Sequence, residues 1–134
     1  AELASGKGRR PRLAASLPRI RVRTDRPRLV TVLQHLIDNG FEAAGMQGGV
    51  TLGLRREDGM AVIEVSDDGP GMSPEFVRQR LFRPFASTKP NGLGIGAFEA
   101  KTVVDGLGGR LEADSRPGYG TTMRVYLPTE RRPA

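Results

Sequence analysis

The sequence predicts an α/β fold, a two-layer α/β sandwich in which a mixed sheet of about five strands carries about three helices on one face. Five segments alternate apolar and polar residues, while three repeat their apolar residues at helical spacing or open on helix-start signals. The two kinds interleave as strand, helix, two strands, helix, helix, two strands. The strands alternate rather than running wholly apolar, so one sheet face stays wet and the helices share the other. A chain of 134 residues fits one such domain and can bury a real core.

Residues 1–18 (AELASGKGRRPRLAASLP) mix Gly, Pro, Ala and Arg without a sustained period and read as a flexible basic tail or linker end, leaving 19–130 as the domain. RIRVR, with Ile20 and Val22 between arginines, reads as the first strand. From Pro27 to about Met46, Leu29, Leu33, Leu36, Gly40 and Ala43 recur at steps of three and four, which predicts a helix with one apolar stripe. GVTLGLRR and MAVIEVSD follow as strands around the turn Glu57-Asp58-Gly59. Val50, Leu52 and Leu54 share a face in the first; Ile63, Val65 and Asp67 share one in the second, so parity carries Asp67 inward. Ser73-Pro74 supplies a cap and first-turn proline for a short helix ending near Phe82. The next helix, from about Gly94 to Leu107, has Gly96, Ala100, Val103 and Leu107 as its stripe and Gly108-Gly109 as its stop. RLEADS and TTMRVYLP close the chain as strands joined by the turn Arg116 to Gly120.

Composition narrows the chemistry. There is no Cys, one His and no Trp, which excludes disulfides, thiolate metal sites and His-rich metal clusters and makes the core aliphatic. No apolar run approaches the ~20 residues of a membrane span, so a soluble chain in a reducing, cytoplasmic setting is the expectation, and a start at Ala hints at a longer parent. Of the net charge of +6, residues 1–28 hold nine Lys/Arg against two acids, or +7, and the remaining twelve bases and thirteen acids give −1. The basic arm has no aromatic residues interleaved for base stacking, so a solvated end is the plainer reading and no nucleic acid is expected.

Four stretches could carry chemistry. His35, Asn39 and Glu42 stack on one helix flank, where the Asn39 amide oxygen is a suitable hard ligand for Mg2+; a solvated face fits the spacing equally. In SDDGPGM a strand end delivers Asp67 inward and the following glycines turn the chain away; an ordinary turn has the same pattern, but a buried Asp needs donors, such as a purine's exocyclic amine. In LFRPFASTKPNGLGIGAFEAK, Gly92, Gly94 and Gly96 permit close backbone approach ahead of a helix start, an arrangement suited to phosphate, although a flexible loop whose glycines serve only the turn has the same pattern. Phe82 and Phe85 could anchor that loop, and Lys89 could pair with a phosphate or stay in water. In GYGTT, parity places Thr121 inward, where it could help hold Asp67 or a water, or simply be a satisfied hydroxyl at a strand start.

The order HLIDNGFEAA, DDGPGM, LFRPFASTK, NGLGIG, GYGTT resembles the N, G1, F, G2 and G3 boxes of the ATP-binding catalytic domain of sensor histidine kinases, in the gyrase, Hsp90, histidine kinase and MutL superfamily with the Bergerat fold. The likeness covers about residues 19–128, and RPFASTKPNGLGIGAFEAK is similar to the PrsK-type kinases of exopolysaccharide systems. It implies that the domain binds Mg-ATP and donates the γ-phosphate to a histidine on a separate helical dimerisation domain, with a response regulator downstream. Asn39 would hold Mg2+. Asp67 would accept from the adenine amine, with Gly71 backing the ring, Gly69 and Met72 among the ATP-binding residues and Thr121 bonding through water. Gly92, Leu93, Gly94, Ile95 and Gly96 would line the triphosphate under a lid from about Phe82 to Asn91, with Phe85, Ser87, Thr88 and Lys89 as its contacts. A membrane would be reached only through the full-length protein.

The chain departs from the pattern in two places. His35 stands where gyrase-like hydrolases carry a glutamate base, which disfavours strong ATP hydrolysis while leaving His35 able to hold a water as a catalytic candidate. Glu42 stands where many sensor kinases carry Lys or Arg. An anti-sigma-factor-type serine kinase and a non-catalytic nucleotide-binding module share the fold and are the rival expectations.

Overall fold

The computed structural model describes residues 10–13, 18–83 and 96–130. In chain order these form β1 (Arg12–Leu13), α1 (Arg26–Ala44), β2 (Val50–Glu57), β3 (Met60–Asp67), α2 (Pro74–Phe76, continuing as a π-helical turn over Val77–Leu81), α3 (Ala97–Gly106), β4 (Arg110–Arg116) and β5 (Gly120–Pro128). The sheet order is β1-β2-β3-β5-β4; β1 runs parallel to β2 and every other pairing is antiparallel. α1 lies against β2, β3 and β5, and α3 against α1 and β4. The two-layer sandwich with a five-stranded mixed sheet and three helices is thus as the alternation predicted.

α1 begins where Asp25 accepts the Arg28 N–H at 3.2 Å and ends at Gly45, whose φ of +76° suits glycine and whose N–H donates to the Phe41 carbonyl. Its buried residues are Val32, Leu36, Ile37, Gly40 and Phe41. This corrects the expected stripe: Leu29 and Leu33 lie at the core margin and Ala43 is exposed. The helix faces the sheet on one flank and α3 on another, so its buried arc is wider than a single row of leucines and turned away from it.

The edge strand also differs from expectation. Arg12–Leu13, in the segment read as tail, pairs with Thr51 and Leu52, whereas RIRVR contributes only a bridge from Val22 to Thr129. Ile20 and Val22 still do apolar work, lining a shallow groove of about 230 Å³ with Leu13, Leu52, Leu54, Ala61, Ile63 and Leu127. One apolar face against the sheet is enough to select that alternation without a ladder of hydrogen bonds.

In α3, Ala100 and Val104 are buried, with Val103 and Leu107 at the margin, a rotation of the predicted stripe by one position. Val104 and Ala100 meet Val32, Leu36 and Ile37 of α1 and the inward residues Val65, Leu111 and Val125. Because Val104 has no exposure, Val104→Ala is expected to cost about 2 kcal/mol in urea unfolding, through lost burial and the cavity left behind. The opposite sheet face carries charge: Glu64 accepts from Arg55 at 3.2 Å and Arg124 at 3.0 Å, and Arg124 reaches Asp114. These pairs are part exposed and keep the face wet rather than adding much stability. There Arg110 lies 4.0 Å over the Tyr126 ring.

Candidate active site

β3 ends at Asp67, directly opposite Thr121 of β5. Its carboxylate accepts the Gly69 N–H at 2.9 Å and the Thr121 backbone N–H. Burial pushes the carboxyl pKa up; the two backbone donors pull it down, the neighbouring Asp68 pushes it up, and the result stays above the ordinary value. Asp68 itself accepts the Gly49 N–H at 3.0 Å, tying the end of β3 to the turn after α1.

The loop after Asp67 is clasped to the β4–β5 turn. Gly118 N–H donates to the Pro70 carbonyl at 2.7 Å, and Met72 N–H donates to the Ser115 hydroxyl at 2.7 Å. Gly71, at φ +76°, passes so close to the Arg116 carbonyl that a side chain there would overlap it, and Gly120, at φ +95°, sits equally close to the Asp67 carbonyl. Ser115 Oγ is also 3.1 Å from the Gly120 carbonyl and 2.7 Å from Thr121 Oγ1.

α1 approaches this cluster at Gly40, where a Cβ would lie 2.9 Å from Val50 and 3.5 Å from the Asp67 Cβ. Asn39, the preceding residue, is half-buried, while Glu42 is exposed on the final turn. His35 opens on a groove of about 510 Å³ between α1 and α3, lined also by Thr31, Val32, Ala100 and Val103. Gly96 is the cap residue of α3, its backbone extended at φ −72°, ψ 172°.

Of the residues singled out in the sequence, Asp67, Gly69, Gly71, Met72 and Thr121 are brought together by the β3–β5 pairing and the clasped loop, with α1 packed close at Gly40. His35 lines the α1–α3 groove and Glu42 points to solvent. Phe85, Ser87, Thr88, Lys89, Gly92, Leu93, Gly94 and Ile95 lie outside the described residues. Sequence reasoning missed Ser115, although parity puts it on the inward face with Leu111 and directly across from Thr121.

Residues 24–131 match the family of histidine kinase-, DNA gyrase B- and HSP90-like ATPases. The chain is 38% identical over 109 residues to the sensor histidine kinase ZraS of Klebsiella oxytoca, covering 81% of this chain and 23% of that protein. It is 39% identical over 105 residues to the C4-dicarboxylate transport sensor protein DctB of Rhizobium meliloti, covering 77% and 17%. The chain therefore spans less than a quarter of these curated relatives. Among solved structures it resembles the catalytic domain of the histidine kinase ThkA, with TM-score 0.71, 27% identity and coverage of 80% of this chain and 70% of that one. It also resembles full-length ShkA in complex with AMPPNP, with TM-score 0.78, 27% identity and coverage of 92% and 26%. An inward carboxylate at a strand end, a glycine-clasped loop against it and a helix carrying asparagine beside it thus sit on the framework these proteins share, and the chain belongs to the histidine kinase-, DNA gyrase B- and HSP90-like ATPase family, with sensor histidine kinases as its relatives.

Proposed function

We propose that this domain binds Mg-ATP and donates the γ-phosphate to a histidine on a helical dimerisation domain of a longer sensor kinase, which passes it to a response regulator. The observation that carries the reading is Asp67, an inward carboxylate held by the Gly69 and Thr121 amides with acceptor capacity left for the adenine amine. The AMPPNP bound by ShkA supports a nucleotide in this fold. Among the described residues no group of three or more His, Cys, Asp or Glu could hold an ion by itself. Asn39 would offer Mg2+ one hard amide oxygen, which suits an ion that comes as a companion of the nucleotide and takes its other ligands from outside the chain. The chemistry supplied by such an ion would be neutralisation of phosphate charge; the chain's own part would be positioning and electrostatic stabilisation. His35, a turn before Asn39, is the candidate to hold a water, and Ser87, Thr88, Lys89 and the amides of Leu93 and Ile95 are the proposed phosphate contacts. Among the described residues no helix is long and apolar enough to cross a membrane. The domain would work on the cytoplasmic side, where ATP is, and meet the membrane through the rest of its protein.

Titration calorimetry with ATP is expected to show Mg2+-dependent binding, and Asn39→Ala to abolish most of that dependence, weakening Mg-ATP about tenfold or more. A folded domain that gives no heat with Mg-ATP overturns the reading. Mixing the domain with ATP and the helical domain of its parent protein is expected to yield acid-labile phosphohistidine; acid-stable phosphoserine would favour a serine kinase instead.

A further inference from the structure

We propose that Ser115 is a positioning residue that fixes the direction of the Thr121 hydroxyl and so makes the purine-facing edge of the site a row of hydrogen-bond acceptors, selective for an amino group over a carbonyl at that place on the ring. The inference rests on the assignment of Asp67 to adenine made above.

Ser115 is 8% exposed and Thr121 9%, so both hydroxyls must find partners within the protein or in the site. A serine hydroxyl has one proton and two lone pairs. Ser115 Oγ has three neighbours: the Met72 N–H at 2.7 Å, the Gly120 carbonyl at 3.1 Å and Thr121 Oγ1 at 2.7 Å. The first only donates and the second only accepts. Either hydroxyl could donate in the Ser115–Thr121 pair, and the one assignment that satisfies all three neighbours sends the serine proton to Gly120, one lone pair to Met72 and the other to the proton of Thr121. All three capacities of Ser115 are then filled. Thr121 has spent its only proton inward, so what its oxygen offers a ligand is lone pairs.

Asp67 stands across the ladder from Thr121 and, ionised, also only accepts. A base edge that donates meets two acceptors there. A base with a carbonyl in the same place sets its lone pairs against theirs, and the ring N–H that accompanies such a carbonyl can relieve only one of the two acceptors, so the mismatched group is disfavoured. Without the Ser115 hydroxyl, the Thr121 proton is released, can rotate toward the ligand, and satisfies a carbonyl. The serine thus acts on selectivity through a residue it touches, without touching the ligand.

The test is calorimetric titration of the domain and its Ser115→Ala variant with ATP and with inosine triphosphate, which keeps the sugar and phosphates, places a carbonyl where adenine has its amine and carries a proton on the adjacent ring nitrogen. Wild type is expected to prefer ATP, and Ser115→Ala to narrow the ATP to inosine triphosphate ratio about tenfold, whatever happens to absolute affinity. An unchanged ratio overturns the proposal and reduces Ser115 to a structural hydroxyl. Wild type binding both equally also overturns it, while leaving the ATP assignment standing; binding neither removes both. Should Ser115→Ala not fold, Thr121→Val and Thr121→Ser make the same comparison: the valine variant narrows the ratio and the serine variant keeps it, and a valine variant with the wild-type ratio overturns the proposal.

Discussion

Replacement of Gly120 by alanine is expected to unfold the domain or to lower its stability by at least about 4 kcal/mol in urea denaturation. Two effects add. The φ of +95° lies where an L side chain is strained, and the new Cβ would overlap the carbonyl oxygen of Asp67. That oxygen cannot retreat, because it belongs to β3, which is paired on both sides, with β2 and with β5. Gly108→Ala is the control. Its φ of +80° is comparable, yet a Cβ there meets nothing within 4 Å, so only the conformational penalty remains, about 1 kcal/mol. Equal losses in the two variants would show that backbone conformation alone, and not the close approach to Asp67, fixes Gly120.

Asp67→Asn is expected to move function and stability in opposite directions. ATP affinity should fall 10- to 100-fold, roughly the loss of a hydrogen bond to an anion. The melting temperature of the nucleotide-free domain should hold or rise. Burial raises the carboxyl pKa, so the folded chain holds this proton more tightly than the unfolded chain does. Stability from that proton is complete below the unfolded value and is lost as pH rises through the raised folded value, so near pH 7 the ionised Asp67 costs stability. Asparagine removes the charge and keeps an oxygen for the Gly69 and Thr121 amides. The wild-type affinity for ATP should also decline on acidification, starting above the ordinary Asp range, because the amine needs the ionised form. The variant should lack that limb of the profile. A variant that binds ATP as wild type does would remove Asp67 from the site.

The layer arrangement and the inward placement of Asp67 and Thr121 were legible because strand parity is strict: once Val65 and Val125 are inside, every second residue along each strand is too. The Asp58-Gly59 turn was legible for a related reason, since both residues take positive φ there. Helix faces were read less well. Leu29 and Leu33 are larger than Val32 and no smaller than Ile37, yet α3 packs on that flank and decides which row is covered. β1 could not be seen at all, because two residues are too few to show a period. Nor does any local pattern announce the π-helical turn at Val77–Leu81. Ser115 was missed because serine in a strand looks like a solvent residue until its cross-strand partner, Thr121, is known.

The ladder between β3 and β5 runs from Met60 opposite Pro128 to Asp67 opposite Thr121, so the two residues assigned to the base form its final rung. All of α2, α3 and β4 lies between them in the chain. The β2–β3 hairpin closes locally, but this rung must wait for a long loop to shut, and such contacts form slowly. Bound nucleotide would bridge that late-forming rung and so act chiefly on escape from the native state. Saturation at a hundred times Kd adds about 2.7 kcal/mol to stability, and the gain should appear mostly as slower unfolding, with the folding rate nearly unchanged.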